Sequence, residues 1–283
     1  LSYLQAYTSL DDGFEFFGGA VNADHLVAVN VGDDSIDYSE GYNGKIQYAV
    51  VVQTSGSNRC IEGDNTGSNR GDGITPTTNL IISNMTCITS NIDQDMGTNA
   101  TSKGDAEGPL FREGAYFQMY NSIVTSNAVD MASNECVELD NTEGPETIAA
   151  AQAGTSKASS NLIACGEALK ASNTVDAFDL GNWLAGGGAA DTPANSNTNN
   201  VVLTGVDVPA QSLIVGGVGT RGYLTAPTLS DAAGTVVFDQ ATQLTDVSAI
   251  DAYFDAPSYL GGANAGDDWL SGWTVGLSGT LNP

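Results

Sequence analysis

The sequence predicts an all-β fold, a right-handed parallel β-helix with loops inserted at its corners. The main observation is an internal repeat, because residues 4–19 align with residues 26–41 at a constant offset of 22. Both copies read as an apolar strand, an Asp-Asp turn, a short alternating strand and a glycine turn. Such strands are too short to bury their apolar side alone, and stacking the next turn about 4.8 Å away extends both sheet and core.

Looser copies of the same order follow along the chain. Each pairs a longer strand with a shorter one, at 46–53 and 60–65, 80–85 and 109–114, and 119–124 and 135–140. Polar insertions are expected at the corners between them, at 54–59, 63–78 and 92–107. An antiparallel sandwich also fits short strands with Gly and Asn turns, but a fixed offset with two unlike strands per unit favours the β-helix.

Composition divides the chain into three parts. Residues 1–144 carry the β-helix turns, residues 145–200 form an insert rich in Ala, Gly and Asn, and residues 201–283 return to β turns. In the insert, Leu162 and Leu169 stand at helical spacing and indicate a short helix. Large aromatic residues near the C-terminus are expected to cap the core, namely Tyr253, Phe254, Tyr259, Trp269 and Trp273.

The chain is strongly acidic. Eight basic residues against 34 acidic ones give a net charge of −26, which excludes nucleic acid and anionic membrane surfaces as partners. Divalent cations are the natural counter-ions of such a chain. Solubility in salty water is an alternative explanation that needs no binding function. No stretch of the sequence indicates insertion into a membrane.

Four cysteines indicate two disulfides. They lack C-x-x-C spacing and the chain has a single histidine, so a zinc or iron–sulfur site is not expected. Their order favours Cys60 with Cys87 and Cys136 with Cys165, although four cysteines permit three connectivities. Any of these pairings implies an oxidising compartment.

Carboxylates recur at one position of the repeat. Superposing the short strands places four of them at equivalent, outward-pointing positions, namely Glu15, Asp37, Glu62 and Glu138. Four aspartates also stand at the turns, namely Asp11, Asp12, Asp33 and Asp34. Like charges one strand spacing apart repel unless a cation bridges them, their pKa values rise or solvent screens them. These eight residues predict bound Ca²⁺, whereas the alternative is that the Asp-Asp pairs only cap turns.

Few residues suit catalysis. Asp33 and Asp34 could act as the paired carboxylates of glycoside hydrolysis, but His25 stands without the companions of such a site. Arg112 is the best placed candidate for the base of a Ca²⁺-dependent lyase, although an ion pair with Glu113 or Glu138 explains it without catalysis. Four aromatic residues are candidates for stacking on sugar rings, namely Tyr38, Tyr42, Tyr116 and Phe117.

Four motifs carry a resemblance to a known group. They read DDGFEFFGG at 11–19, GDDSID at 32–37, KIQYA at 45–49 and DWLSGWT at 268–274. On these motifs the chain resembles uncharacterised bacterial secreted or surface proteins of the parallel β-helix, pectin-lyase-like type. The resemblance implies a β-helix outside the cytoplasm and brings no activity with it. Pectate lyases and polygalacturonases share the architecture, but a shared fold does not transfer their chemistry.

We therefore expect an extracellular structural or adhesive surface protein that is stabilised by calcium and binds a glycan. The alternative is a polysaccharide lyase or glycoside hydrolase of the β-helix type. The chain opens directly in a strand at Leu1, and an uncovered strand edge recruits another strand. This predicts either association of copies through the ends of the solenoid or a preceding domain that covers the first turn.

Overall fold

The computed structural model confirms a parallel β-helix. The structure describes residues 1–53, 57–65, 75–89, 107–126, 135–141, 146–165, 167–172, 178–187, 196–204, 214–215 and 224–277. Its main-body strands are β1 (Ser2–Tyr7), β2 (Phe14–Phe17), β3 (Ala23–Val29), β4 (Ile36–Ser39), β5 (Lys45–Val52), β6 (Glu62–Gly63), β7 (Asn79–Thr89), β8 (Leu110–Phe111), β9 (Tyr116–Tyr120), β10 (Ile123–Ser126), β11 (Glu135–Asp140), β12 (Lys157–Ser159), β13 (Leu162–Cys165), β14 (Glu167–Ser172) and β15 (Val201–Thr204).

These strands form two parallel sheets along the solenoid. The large sheet follows the order β1-β3-β5-β7-β10-β13-β15, with β9 beside β7 and β12 beside β9. The small sheet follows the order β2-β4-β6-β8-β11-β14. Each turn of the chain therefore adds one rung to each sheet, and side chains at alternate positions point into the core between them.

The register confirms the repeat found in the sequence. Leu4 pairs with Leu26 in the large sheet and Phe14 pairs with Ile36 in the small sheet, both at the offset of 22. Later turns are longer, because Ser122 and Asn161 stand on adjacent turns and are 39 residues apart. The additional residues enter between strands, so the stacking of rungs is kept.

Aromatic residues fill part of the core. Phe111 and Phe117 stack with ring centroids 3.8 Å apart, and Phe16 stacks on Tyr42 at 4.7 Å. The prediction that Tyr38, Tyr42 and Phe117 stack on sugars is wrong, since all three are buried. Tyr38 illustrates the reason, because it occupies an inward position of β4 next to the outward Asp37.

Both disulfides favoured by the sequence are present. Cys60 pairs with Cys87 and Cys136 pairs with Cys165, and all four are fully buried. Each bond joins the two sides of the solenoid, because Cys87 and Cys165 lie in the large sheet while Cys136 lies in the small one. The bonds indicate a non-cytoplasmic environment. No helix in the described part of the chain is long and apolar enough to cross a membrane.

The segment 145–200 differs from the expected insert. Leu162 and Leu169 lie in β13 and β14, which continue the two sheets, so the helix predicted from their spacing is wrong. The helices stand elsewhere, as α1 (Glu146–Gln152) and α2 (Leu180–Leu184). In α2, Trp183 enters the core and donates its indole N–H to the carbonyl of Ala151 at 2.8 Å. Leu169 packs against the core inside the solenoid, whereas Leu162 lies on the outer face of the large sheet that the strap covers, so the apolar spacing comes from two strands and not from one helix face.

The C-terminal residues 224–277, here called the strap, run back along the outer face of the large sheet. Strap elements are β17 (Leu224–Thr225), which pairs with β16 (Ile214–Val215), then β18 (Leu229–Ser230), β19 (Val236–Phe238) and a 3₁₀ turn at Val247–Ala249. Asn121 donates to the Thr245 carbonyl at 2.9 Å, and Gln47 donates to the Asp255 carbonyl at 2.9 Å. Gln5 of the first turn donates to the Val275 carbonyl at 2.7 Å.

The strap changes where the C-terminal aromatic residues lie. Trp269 packs beside His25 with ring centroids 4.7 Å apart, and Trp273 lies 6.0 Å from Tyr3. These rings therefore lie beside the first turns, and the prediction that they cap the C-terminal end of the core is wrong. At the last turns it is α2 that enters the core. The outer face of the large sheet is apolar at Val27 and Val50, and the strap is held there because it buries that face.

Candidate functional site

The outer face of the small sheet carries the predicted carboxylate column. Glu15 pairs with Asp37, and Asp37 pairs with Glu62, so three of its four residues occupy successive rungs. The next rung is Leu110, and Glu138 follows only after it. Glu138 is therefore two strand spacings away from Glu62, and the column is interrupted.

Turn aspartates join the first three rungs of this column. Candidate ligand oxygens lie within 4.8 Å of one another in three interlinked groups: Asp11, Asp12 and Asp33; Asp12, Glu15 and Asp37; Asp34, Asp37 and Glu62. These seven residues are here called the acidic face. Asp12 and Asp37 each belong to two groups, so the three groups form one continuous arrangement.

The Asp-Asp pairs also shape the turns, as the alternative explanation predicts. The Asp12 carboxylate accepts a hydrogen bond from the Asp34 backbone N–H at 3.0 Å. One turn further on, the Asp34 carboxylate accepts from the Arg59 backbone N–H at 2.8 Å. Each of these bonds uses one carboxylate oxygen to satisfy a backbone donor and fixes the side chain toward the next turn. The turn role and a metal role are compatible, since a carboxylate has two oxygens.

Burial raises the pKa of four carboxyl groups of the acidic face, those of Asp12, Asp34, Asp37 and Glu62. Loss of solvation, followed by repulsion from neighbouring carboxylates, raises the pKa of Asp37 to about 8. Loss of solvation is also the largest cause for Asp12, whose pKa rises to about 6, and for Glu62, whose pKa rises to about 7. The pKa of the buried Asp34 is raised by burial first and by Glu62 next. The raised pKa values mean that ionising these carboxyl groups is unfavourable in the fold, and bound protons or a bound cation would relieve that cost.

Arg112 borders the acidic face on one side. Its guanidinium donates to Asp64 at 2.8 Å and to Glu62 at 3.1 Å. Burial lowers the pKa of Arg112, but the hydrogen bonds to Asp64 outweigh it and raise the pKa overall. The charge of Glu113 adds to the raised pKa, whereas the predicted ion pair with Glu138 is wrong because Glu138 pairs with Arg59. A guanidinium held by two carboxylates keeps its proton and does not serve as a base.

Glu138 belongs to a separate, charge-paired cluster. It lies 3.2 Å from Arg59 Nη2 and 3.3 Å from Lys170 Nζ, and it accepts a hydrogen bond from Ser172 Oγ at 2.6 Å. Arg59 also pairs with Glu107 and is largely buried, although the sequence placed it in a polar loop. The structure therefore does not bring Glu138 together with the other predicted metal ligands.

His25 has a structural environment. Its ring stacks on Tyr3 at 4.3 Å, and its Nδ1 lies 2.6 Å from an oxygen of Asp24. It stands on the large sheet, on the other side of the solenoid from the acidic face. The structure thus keeps the single histidine apart from the Asp33 and Asp34 pair that was considered for glycoside hydrolysis.

The fold and the acidic face together define a class of protein, namely a parallel β-helix with carboxylates on the outer face of its small sheet. The chain belongs to the family described as the pectate-lyase-like β-helix domain, whose model matches residues 1–199. The match covers the small sheet, the large sheet except β15, and the whole acidic face. No curated protein and no solved structure matches the chain.

Proposed function

We propose that this chain is an extracellular structural or adhesive surface module that binds Ca²⁺ on its acidic face. The observation that carries the proposal is the linkage of seven carboxylates into three groups whose oxygens lie within 4.8 Å. No lysine or arginine precedes Lys45 in the sequence, so the first two turns bring no basic side chain to these groups. A hard divalent cation that takes six to eight oxygens fits such a donor set.

The position of the face supports a structural role for the ion. Its ligands come from three successive turns, because Asp12, Asp34 and Glu62 follow one another along the solenoid. An ion between them links rungs that otherwise repel. The motif resemblance to secreted or surface proteins and the two disulfides support an extracellular location.

The alternative, a polysaccharide lyase or glycoside hydrolase, is favoured by one observation. Asp37 has a pKa of about 8 and would be protonated near neutrality, and the oxygens of Glu15 and Asp37 lie within 4.8 Å. A protonated acid beside a second carboxylate is the arrangement of glycosidases. Arg112 forms ion pairs with Glu62 and Asp64, which argues against its acting as the catalytic base of a lyase. Release of reducing ends or unsaturated products from any polysaccharide in a panel would favour this alternative.

Calcium binding is the direct test of the proposal. Calorimetric titration of EDTA-treated protein with CaCl₂ is expected to show saturable binding, which Asp37→Asn weakens by about tenfold or more, because ligand charge sets the affinity of such sites. Asp37 is chosen since it belongs to two of the three groups. Asp255→Asn, which removes one exposed charge from the strap, is the matched control. Absence of binding heat, or equal weakening by both variants, contradicts a metal role.

Self-assembly through the solenoid ends is part of the same proposal. The first turn exposes large apolar side chains, namely Leu1, Tyr3, Leu4, Leu10, Phe17 and Val21. Exposed apolar surface beside the edges of β1 and β2 supports cover by a further strand, which comes either from another copy or from a preceding domain of the same chain. Light scattering is expected to show association that rises with protein concentration and that Leu10→Ser together with Phe17→Ser abolishes. A monomer at all concentrations removes this part of the proposal.

A further inference from the structure

Three polar side chains stand at one position of the large sheet, at the ends of three neighbouring strands. Thr89 is the last residue of β7, Ser126 is the last residue of β10, and Gln53 directly follows β5. Thr89 pairs with Ser126 in the register, and the Gln53 backbone N–H donates to the Ile88 carbonyl at 3.0 Å. Gln53, Thr89 and Ser126 are therefore neighbours on successive rungs, and they are here called the polar column.

The polar column faces the interior of the solenoid. Side chains alternate along a strand, and the residues two positions earlier belong to the core inside the solenoid, namely Val51, Cys87 and Val124. Val52 and Ile88, one position earlier, instead lie on the outer face that the strap covers. All three side chains of the column are buried. Polar groups thus occupy inward positions that apolar residues fill earlier in the same strands.

Each member of the column has a buried oxygen that no described group satisfies. Within the described part of the chain, Gln53 Oε1, Thr89 Oγ1 and Ser126 Oγ have no hydrogen-bond partner. Gln53 uses only the other end of its amide, because its Nε2 donates to the Asn58 carbonyl at 3.1 Å. An unsatisfied polar atom in the core is unfavourable, and three of them on successive rungs indicate a shared partner.

Other buried hydroxyl groups of the same strands are paired within the protein. Thr86 Oγ1 accepts from the Gly262 backbone N–H at 2.8 Å. Thr125 Oγ1, next to the column, donates to the Ala164 carbonyl at 3.0 Å. At these positions the fold supplies a partner, whereas the oxygens of the polar column need a partner from outside the chain.

We infer that the polar column binds ordered water molecules inside the solenoid, one between Gln53 and Thr89 and one between Thr89 and Ser126. Neighbouring strands are about 4.8 Å apart, which is too far for a direct hydrogen bond between facing oxygens. A water about 2.8 Å from two such oxygens makes an angle of about 120° with them, which is close to its tetrahedral preference. Buried waters in proteins typically satisfy polar groups of this kind with about three hydrogen bonds each.

A neutral ligand fits the column better than a metal ion. None of the three side chains carries a charge, and burying a cation among neutral groups is costly. The amide oxygen of Gln53 only accepts hydrogen bonds, whereas each hydroxyl donates and accepts, so water can satisfy all three. The inference is independent of the proposed function, because the acidic face lies on the small sheet and the column lies on the large one.

Two disulfides fix the backbone beside the column. Cys87 of the first disulfide stands two residues before Thr89 on β7. The register between β10 and β13 places Ser126 beside Cys165 of the second disulfide. The strand ends that carry the column are therefore cross-linked, so the spacing of its oxygens is held in place before water binds.

The sign of a stability change tests the inference. Thr89→Val keeps the shape of the side chain and removes its hydroxyl. If water bridges the column, the variant loses hydrogen bonds, and its melting temperature is expected to fall by about 2–4 °C. If the hydroxyl has no partner at all, its removal leaves the melting temperature unchanged or raises it. Thr125→Val is the matched control, because its hydroxyl has a protein acceptor and its loss is expected to lower the melting temperature in either case.

Two further measurements separate a bridging water from other occupants. Combining Ser126→Ala with Thr89→Val is expected to cost less stability than the sum of the single variants, because both lose the same water. A high-resolution crystal structure of the unchanged protein is expected to show the two waters, and crystals soaked in thallium(I) acetate are expected to show no anomalous peak at the column. This structure decides the question if a variant does not fold.

The inference is overturned if Thr89→Val is as stable as the unchanged protein or more stable, or if the losses of the two single variants add. It is also overturned if the crystal structure shows no water at the column, or if thallium binds there, since the column would then hold a cation.

Discussion

Metal-free protein is expected to lose stability as the pH rises from 4 to 8, and Ca²⁺ is expected to restore it. The cause lies in the acidic face, where burial raises the pKa of Asp37 to about 8 and that of Glu62 to about 7. Carboxyl groups in the unfolded chain titrate near 4, so the folded state binds more protons throughout this interval. Stability therefore falls with pH there, the reverse of the usual behaviour of carboxylates in salt bridges.

The expected size of this effect is several kcal/mol, because one unit of difference between folded and unfolded pKa corresponds to about 1.4 kcal/mol. The contribution is fully present below the unfolded pKa and is lost as the pH passes the folded values. Saturating Ca²⁺ binds the ionised form only and reverses the trend above neutral pH. Urea unfolding monitored at a series of pH values, in EDTA and in CaCl₂, measures both curves.

Asp37→Asn separates the acidic face from the general charge of the protein. The variant removes a carboxyl that belongs to two of the three sets of carboxylates on the acidic face. It is therefore expected to flatten the pH dependence of stability in EDTA and to be more stable than the unchanged protein at pH 8. Asp255→Asn removes an exposed charge and is expected to leave the slope nearly unchanged. A stability that stays constant or rises between pH 4 and 8 in EDTA would show that the acidic face is not under electrostatic strain.

The rungs were predictable from sequence because their register is a local property. Leu4 with Leu26 and Phe14 with Ile36 repeat at one offset, and the column of Glu15, Asp37 and Glu62 follows from it. A side chain that alternates outward in one turn alternates outward in the next, since successive turns stack in parallel.

The extent of the column was not predictable in the same way. The alignment placed Glu138 with Glu62, but the rung between them holds Leu110, and the distance between two carboxylates depends on how many rungs intervene. A signal for the paired cluster was nonetheless in the sequence. Arg59 and Glu107 each stand three residues before a column position, and extending the alignment backwards would have placed them side by side.

The path of the strap was beyond sequence reasoning. Trp269 and Trp273 show in the sequence that large apolar side chains lie near the C-terminus. Where they pack depends on contacts between residues far apart in the chain, such as the hydrogen bond between Gln5 and Val275 at a separation of 270 residues. The prediction that Tyr38 and Phe117 are exposed was wrong for a related reason. The residue type does not tell whether an aromatic ring faces the core or the solvent, because that depends on its odd or even position along the strand.

Loss of the Arg59 side chain is expected to destabilise the fold strongly. It is 14% exposed and pairs with two carboxylates that are more deeply buried, Glu107 at 6% and Glu138 at 4%. Arg59→Met keeps most of the side-chain volume and removes the charge, which leaves Glu107 without this partner and Glu138 with Lys170. Breaking a buried ion pair from one side costs about 3–5 kcal/mol, because the remaining charge stays desolvated.

Urea unfolding at neutral pH in CaCl₂ is expected to show this loss for Arg59→Met. Lys45→Met is the matched control, since Lys45 pairs with Asp251 at 3.3 Å on a more exposed surface and its loss is expected to cost much less than the loss of Arg59. Adding Glu107→Gln and Glu138→Gln to Arg59→Met is expected to recover much of the stability, because the orphaned carboxylates are then gone. Lowering the pH is expected to reduce the loss of stability in the single variant, because protons then neutralise those carboxylates. Equal losses for Arg59→Met and Lys45→Met, with no recovery at low pH, would mean that the cluster is solvated and that the small sheet does not depend on its paired charges.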